Sequence, residues 1–187
     1  MFESLEELRR ATQERFADRI IVHGEGNTKP VVVLIGEAPG EKEELLRRPF
    51  VGKAGENLNE FLQLSGIERE SLYITNAVKF RPTAVGKSGK SVNRKPTQAE
   101  IGAFRPILLE EIRLLSPKLV VTLGNVPLGA VRNEKQSIGE VHGRFLPMER
   151  YSLYPMYHPA SVIYNRSLRE VYIEDVKRLG AWLRQNA

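Results

Sequence analysis

Four short stretches of this chain hold side chains whose types suit chemistry on a flat heterocycle. His158, between Tyr157 and Pro159, is the most chemical of the three histidines, because a strand end on one side and a proline on the other restrict its backbone. A buried, hydrogen-bonded structural histidine is the alternative reading. Phe50 lies in Arg48-Pro49-Phe50-Val51-Gly52-Lys53-Ala54-Gly55, a loop bounded by proline and glycine. There an aromatic ring either offers a stacking platform or caps the core. Asn76, at the end of an apolar run, carries a donor and an acceptor on one amide, which suits the edge of a pyrimidine, although asparagine is also an ordinary turn residue. Gly36-Glu37-Ala38-Pro39-Gly40-Glu41 closes another apolar run with a tight turn that exposes backbone N–H groups.

Several other chemistries find no foothold. No Gly-Lys-Ser/Thr closes the 36–41 turn, and it lacks the Gly-x-Gly-x-x-Gly fingerprint of dinucleotide sites. There is no His-x-x-x-His, no acidic metal triplet and no Gly-x-Ser-x-Gly elbow. The 187 residues include no cysteine, which removes disulfides, thiolate metal sites and iron–sulfur ligation. His23 and His142 each sit in a glycine-rich turn without a carboxylate at ligand spacing, and neither receives a role.

The elements that must position these residues alternate. Residues 4–16 place Leu5, Leu8, Ala11 and Phe16 at near-helical spacing behind a Ser4/Glu7 capping pattern. Residues 20–22 read as a short strand. Residues 31–35, 72–78 and 119–124 are continuous apolar runs of the kind found in parallel strands covered on both faces. Residues 55–64 and 98–115 have helical spacing, the second with Thr97 as N-cap and Ile101, Phe104, Leu108, Ile112 and Leu115 on one stripe. Residues 153–157 form a fourth strand, with Pro155 indicating an edge or a strand end, and residues 168–185 a last helix. The expected fold is α/β: a three-layer sandwich around a mostly parallel four-stranded sheet, in one domain spanning residues 1–187. In such folds ligands bind at the carboxyl ends of the strands, where 36–55, 76–82 and 157–159 fall.

Lysine and arginine number 28 against 23 acidic residues, a net charge of +5, compatible with a polyanionic partner but only weakly indicative of one. Residues 83–96 read as a mobile basic loop carrying Lys87, Lys90, Arg94 and Lys95, suited to meeting phosphates without reading sequence. No apolar run approaches the roughly 20 residues of a membrane helix, and the acidic, amphipathic start is unlike a signal peptide; the expected compartment is the cytosol.

Taken in order, Gly-Glu-Ala-Pro-Gly-Glu (36–41), Arg-Pro-Phe-Val-Gly-Lys-Ala-Gly (48–55), Ile-Thr-Asn-Ala-Val-Lys-Phe-Arg-Pro (74–82), Leu-Ser-Pro-Lys-Leu-Val-Val-Thr-Leu-Gly (115–124) and Tyr-His-Pro-Ala (157–160) resemble the uracil-DNA glycosylase superfamily, most closely its family 4. The resemblance implies a DNA N-glycosylase that flips deoxyuridine from uracil-containing DNA and releases free uracil in base-excision repair, as a monomer and without a metal. It implies that Gly36, Glu37 and Ala38 form the floor of the uracil pocket, Phe50 stacks on the base, Asn76 reads its edge, and His158 stabilises the departing anion near O2. Glu43 matches the proposed water activator of family 4, with Glu37 a second candidate, and Ala38 stands where the best-known family has aspartate. Arg166 lies where the superfamily contacts DNA.

The chain departs from family 4 in lacking its four cysteines and hence its 4Fe–4S cluster; Phe80 and Phe104 stand at two of those positions. The expectation is a cluster-free protein in which Phe80, Phe104 and the first helix form a hydrophobic plug. Shifted specificity for hypoxanthine, xanthine or mismatched uracil, a catalytically silent DNA-binding homologue, and an α/β domain binding a nucleobase or nucleotide remain alternatives.

Overall fold

The computed structural model of the chain describes residues 1–134, 136–165 and 167–186, and only the backbone of Ile163 and Tyr164. Four strands form the parallel centre of the sheet: β2 (Val32–Gly36), β3 (Tyr73–Asn76), β6 (Leu119–Leu123) and β8 (Ser152–Met156). Two antiparallel edge strands of two residues each, β1 (Glu25–Gly26) on β3 and β7 (Leu146–Pro147) on β8, extend the sheet to six in the order β1-β3-β2-β6-β8-β7. The expected four strands are thus the parallel core of a wider sheet. A two-residue strand has too little pattern to be read in sequence.

Alternation along the strands sorts the core. Val32 and Leu34 of β2 face one layer, with Phe61 and Leu62 of α3 (Lys53–Leu64) and Tyr172, Val176 and Leu179 of α8 (Leu168–Asn186). Val33 and Ile35 face the other, with Leu108 and Ile112 of α4 (Gln98–Leu115) and Leu128 and Val131 of α5 (Asn125–Arg132). Every residue of β2, β3 and β6 is buried, as the unbroken apolar runs predict.

Two helices begin as their sequences suggest. Ser4 accepts the Glu7 N–H at the start of α1 (Leu5–Arg15), and Thr97 and Glu100 form a reciprocal capping box on α4. Four further short helical elements are α2 (Glu41–Leu46), a 3-10 turn at Arg69–Ser71, α6 (Ile138–Val141) and α7 (Pro159–Tyr164). Among the described residues no helix is long and apolar enough to cross a membrane.

Two local expectations are corrected. Residues 20–22 form no strand: Ile21 is buried in a satellite core, Val22 is buried beside it in the chain, and the Val22 N–H donates to the carbonyl of Lys79 outside any ladder. Residues 83–96 are not an irregular loop but contain a hairpin, β4 (Thr83–Val85) paired with β5 (Ser91–Asn93). Its turn is closed by Gly86, whose N–H meets the Lys90 carbonyl, and by Gly89 at φ +75°.

That satellite core is the expected aromatic plug. Phe104 stacks on Phe16 at 4.2 Å between ring centroids and meets Phe80 at 5.7 Å, with Leu8 of α1 and Ile107 of α4 closing around them.

Candidate active site

The chain leaves β2 for β3 on one side, while β6 pairs with the other side of β2, so the strand order reverses at the carboxyl end of β2. A cleft of about 400 Å³ opens there, lined by Ala38, Gly40, Glu43, Phe50, Asn76 and His158 among others. Of the pocket residues expected from sequence, Ala38, Phe50, Asn76, His158 and Glu43 line one cleft, although they come from four separate stretches of chain.

The floor is fixed by register. Gly36 ends β2 directly beside Asn76, the last residue of β3. A Cβ at Gly36 would collide with Oδ1 of Asn76 and with the ring of Phe50, so only glycine lets those two side chains meet over the strand end. Asn76 is 3% exposed and lines the cleft.

Phe50 is held in an unusual backbone. Its φ of 53° is left-handed, uncommon for a residue with a Cβ. Its carbonyl abuts Gly55, where any side chain would clash, and the guanidinium of Arg69 donates to the preceding Pro49 carbonyl at 2.8 Å and to Asn59 at 2.9 Å. These contacts over-determine the turn and aim the ring at the cleft. The ring of Phe50 is buried against the core and also lines the cleft.

His158 caps α7. Its Nδ1 accepts the backbone N–H of Ala160 at 3.2 Å, which leaves Nε2 as the N–H donor of a neutral ring. Burial lowers its pKa from 6.5 to about 4, so the ring is neutral at physiological pH. The rings of His158 and Phe50 lie 6.1 Å apart at 30°. A base cannot slide between them, because two face contacts of about 3.5 Å each need more room.

Glu43 is buried in the first turn of α2, and backbone groups hold both its carboxylate oxygens. Oε1 accepts from Gly52 N–H at 2.8 Å and Oε2 from Gly40 N–H at 3.2 Å, tying the turn after β2 to the start of α3. Glu37 is half-buried and does not line the cleft; its carbonyl accepts from Val78 N–H. Burial raises the pKa of its carboxyl, and Lys95 nearby opposes the shift.

The hairpin stands over the cleft. Asn93 of β5 lines it, and its Oδ1 accepts from Arg81 at 2.6 Å, while Arg81 also reaches Glu44. Lys87, Lys90 and Lys95 are exposed, whereas Arg94 spends its guanidinium on a two-pronged contact with Glu100 at 2.7 and 2.8 Å and on the Thr83 carbonyl. Arg166 lies outside the described residues. Sequence reasoning missed Asn93, whose β5 strand is too short to announce itself. It also missed His142, whose Nδ1 meets the buried Asp175 Oδ2 at 2.8 Å across a separation of 33 residues, with its ring against Tyr157.

The donor set does not fit an iron–sulfur cluster. The chain has no thiol, Phe80 and Phe104 fill their region with hydrocarbon, and no group of three or more His, Cys, Asp or Glu suited to a metal occurs among the described residues.

The sequence profile of the uracil DNA glycosylase superfamily matches residues 23–179. The chain belongs to that superfamily. Among curated proteins it is 38% identical over 169 residues to the type-4 uracil-DNA glycosylase of Thermotoga maritima, covering 88% of this chain and 84% of that one. It is 37% identical over 167 residues to the type-4 enzyme of Saccharolobus solfataricus (84% and 74% covered) and 37% identical over 167 residues to that of Archaeoglobus fulgidus (85% and 80% covered).

Proposed function

We propose that this protein is a monofunctional uracil-DNA glycosylase that turns deoxyuridine out of DNA into the cleft, hydrolyses its N-glycosidic bond and leaves an abasic site. The observation that carries the reading is the convergence of Phe50, the buried amide of Asn76 and the Nε2 of a neutral His158 on one cleft.

Asn76 reads the base: Oδ1 accepts from uracil N3–H while Nδ2 donates to O4, and cytosine presents the reverse pattern. Phe50 offers a ring face, which with those bonds offsets the few kcal/mol needed to unstack the nucleotide. As the C1′–N1 bond breaks, its electron pair passes to the uracil ring, and the Nε2–H of His158 donates to the oxygen that gains charge. A donor of this kind is worth roughly a hundredfold or more in rate. Water adds to C1′ and gives its proton to a carboxylate. Glu43 takes that role because it lines the cleft and backbone donors fix its orientation; Glu37 is the second candidate.

Lys87, Lys90 and Lys95 meet DNA phosphates from the hairpin and its flank, with Arg94 bracing the hairpin base against α4 and Arg166 assigned to DNA by resemblance alone. The enzyme works as a cluster-free monomer in the cytoplasm, with the aromatic plug of Phe16, Phe80 and Phe104 as its structural substitute for the cluster. Incubation with a labelled oligonucleotide bearing one uracil, followed by alkaline cleavage, tests the proposal. A single product band at the uracil position is expected, and no cleavage of single- or double-stranded substrate rejects catalysis.

A further inference from the structure

Beneath the cleft, on the opposite face of β3 from Asn76, lies a charged network with no part in the chemistry above. Lys79 is 1% exposed. Its Nζ lies 2.5 Å from Oε2 of Glu111 on α4 and 2.5 Å from Oγ1 of Thr75 on β3. Thr75 donates its hydroxyl to Glu111 Oε2 at 3.1 Å, and Tyr73, two residues earlier on the same face, donates to Oε1 at 2.8 Å. Arg9 of α1 reaches the Tyr73 hydroxyl and the Gly24 carbonyl, tying the first helix into the same cluster.

The placement along the chain gives the network its meaning. Thr75 immediately precedes Asn76 and Lys79 follows three residues later, so the bond from Nζ to Oγ1 closes a ring around residues 75–79 with Asn76 inside it. The backbone is pinned over the same span: Ala77 N–H to the Gly36 carbonyl at 2.8 Å, Val78 N–H to the Glu37 carbonyl at 3.0 Å, and Val22 N–H to the Lys79 carbonyl at 2.7 Å. A buried ion pair is a poor source of stability, since apolar residues of similar volume often serve as well or better. It does demand one geometry, because any shift leaves a charge unsatisfied in the interior.

We propose that the Lys79–Glu111 pair, bonded through Thr75, is a positioning device that fixes the amide of Asn76 for base reading, and so governs discrimination between uracil and cytosine rather than the stability of the fold. This rests on the reading of Asn76 as the base-reading residue. Lys79 and Glu111 are positioning residues, for neither touches the base.

Three variants test it: Thr75→Val, Thr75→Ser, and the double variant Lys79→Met/Glu111→Leu, which removes both charges and keeps apolar bulk. Melting temperature, affinity for free uracil, and kcat and KM on oligonucleotides bearing uracil or cytosine are measured for each beside wild type. Thr75→Val and the double variant are expected to melt within a few degrees of wild type, yet to bind free uracil at least about tenfold more weakly and to lose at least about tenfold of the uracil-over-cytosine ratio in kcat/KM. Thr75→Ser keeps the hydroxyl and should keep both. If the double variant does not fold, Thr75→Val decides. Folded variants with wild-type uracil affinity and discrimination overturn the positioning role while leaving the glycosylase reading intact; a wild-type protein that neither binds nor excises uracil overturns both.

Discussion

The backbone N–H of Ala160 donates to Nδ1 of His158, and this one bond decides which nitrogen faces the cleft with a proton. With the pKa lowered to about 4, protonation below that value places a second proton on Nδ1 and breaks the bond. Excision should therefore show no titration of this ring between about pH 6 and 8, and a break near 6.5 would mean that the imidazole is solvated. Stability follows in sign: the unfolded chain binds the proton more readily, so this contribution is complete above 6.5 and declines as pH falls toward 4. His158→Gln should remove that slope and lower kcat by at least about tenfold, measured in single-turnover excision alongside urea unfolding at several pH values.

Gly36→Ala should be out of proportion to its one methyl group. The new Cβ drives into Asn76 and Phe50, and relief requires moving one of them off the cleft. We expect a stability loss of about 1–3 kcal/mol and loss of free-uracil binding by calorimetry. A variant with normal uracil affinity would show that the strand end tolerates a side chain there.

Glu43→Gln separates bracing from base catalysis. Glutamine keeps one acceptor and turns its NH₂ toward the other backbone N–H, leaving a buried donor unmet at about 1–3 kcal/mol. If Glu43 also takes the proton from water, kcat falls at least about tenfold under conditions where the variant is fully folded by circular dichroism. Glu37→Gln should leave kcat within a fewfold. The opposite ranking would transfer the role of base to Glu37.

Salt dependence distinguishes the hairpin cations. Removing Lys87 and Lys90 together should flatten the plot of log affinity against log salt by about 0.7–0.9 for each phosphate that is no longer neutralised. Arg94→Ala should lower the melting temperature with little change in that slope, since its charge is already matched by Glu100. Equal slopes for wild type and the double lysine variant would place DNA elsewhere on the surface.

The aromatic plug should carry stability without touching the chemistry. Phe104 is 1% exposed between Phe16 and Phe80, so Phe104→Ala is expected to cost ~3–5 kcal/mol in denaturant unfolding while kcat of the folded fraction stays near wild type. Elemental analysis of the purified protein should find no stoichiometric iron.

What is legible in the sequence follows from the range of each signal. The runs behind β2, β3 and β6 announce themselves because two-sided burial leaves few polar positions, Thr75, Asn76 and Thr122 being the exceptions, and Thr97 caps α4 by a rule spanning three residues. Asn76 and His158 stand out as chemical types at strand ends and Phe50 as an aromatic in a loop bounded by proline and glycine, although only the fold brings them together. Ile21 and Val22 mislead because a buried extended segment and a strand have the same composition, while the environment of Ile21 is set by Phe80 and Phe104 and the backbone of Val22 is held by Lys79, all far along the chain. The hairpin of residues 83–93 hides behind short, polar, exposed strands. The pairs His142–Asp175 and Lys79–Glu111 join residues more than thirty positions apart, beyond any local pattern.

The meeting of Gly36, Phe50, Asn76 and His158 over the strand ends has a thermodynamic corollary. Its members come from the ends of β2, β3 and β8 and the loop before α3, so a ligand that fills the cleft would bind the native chain and not its denatured ensemble. On the proposed function, free uracil would then act as a pharmacological chaperone, retarding the next turnover and, by the same occupancy, shielding the polypeptide from heat and proteases.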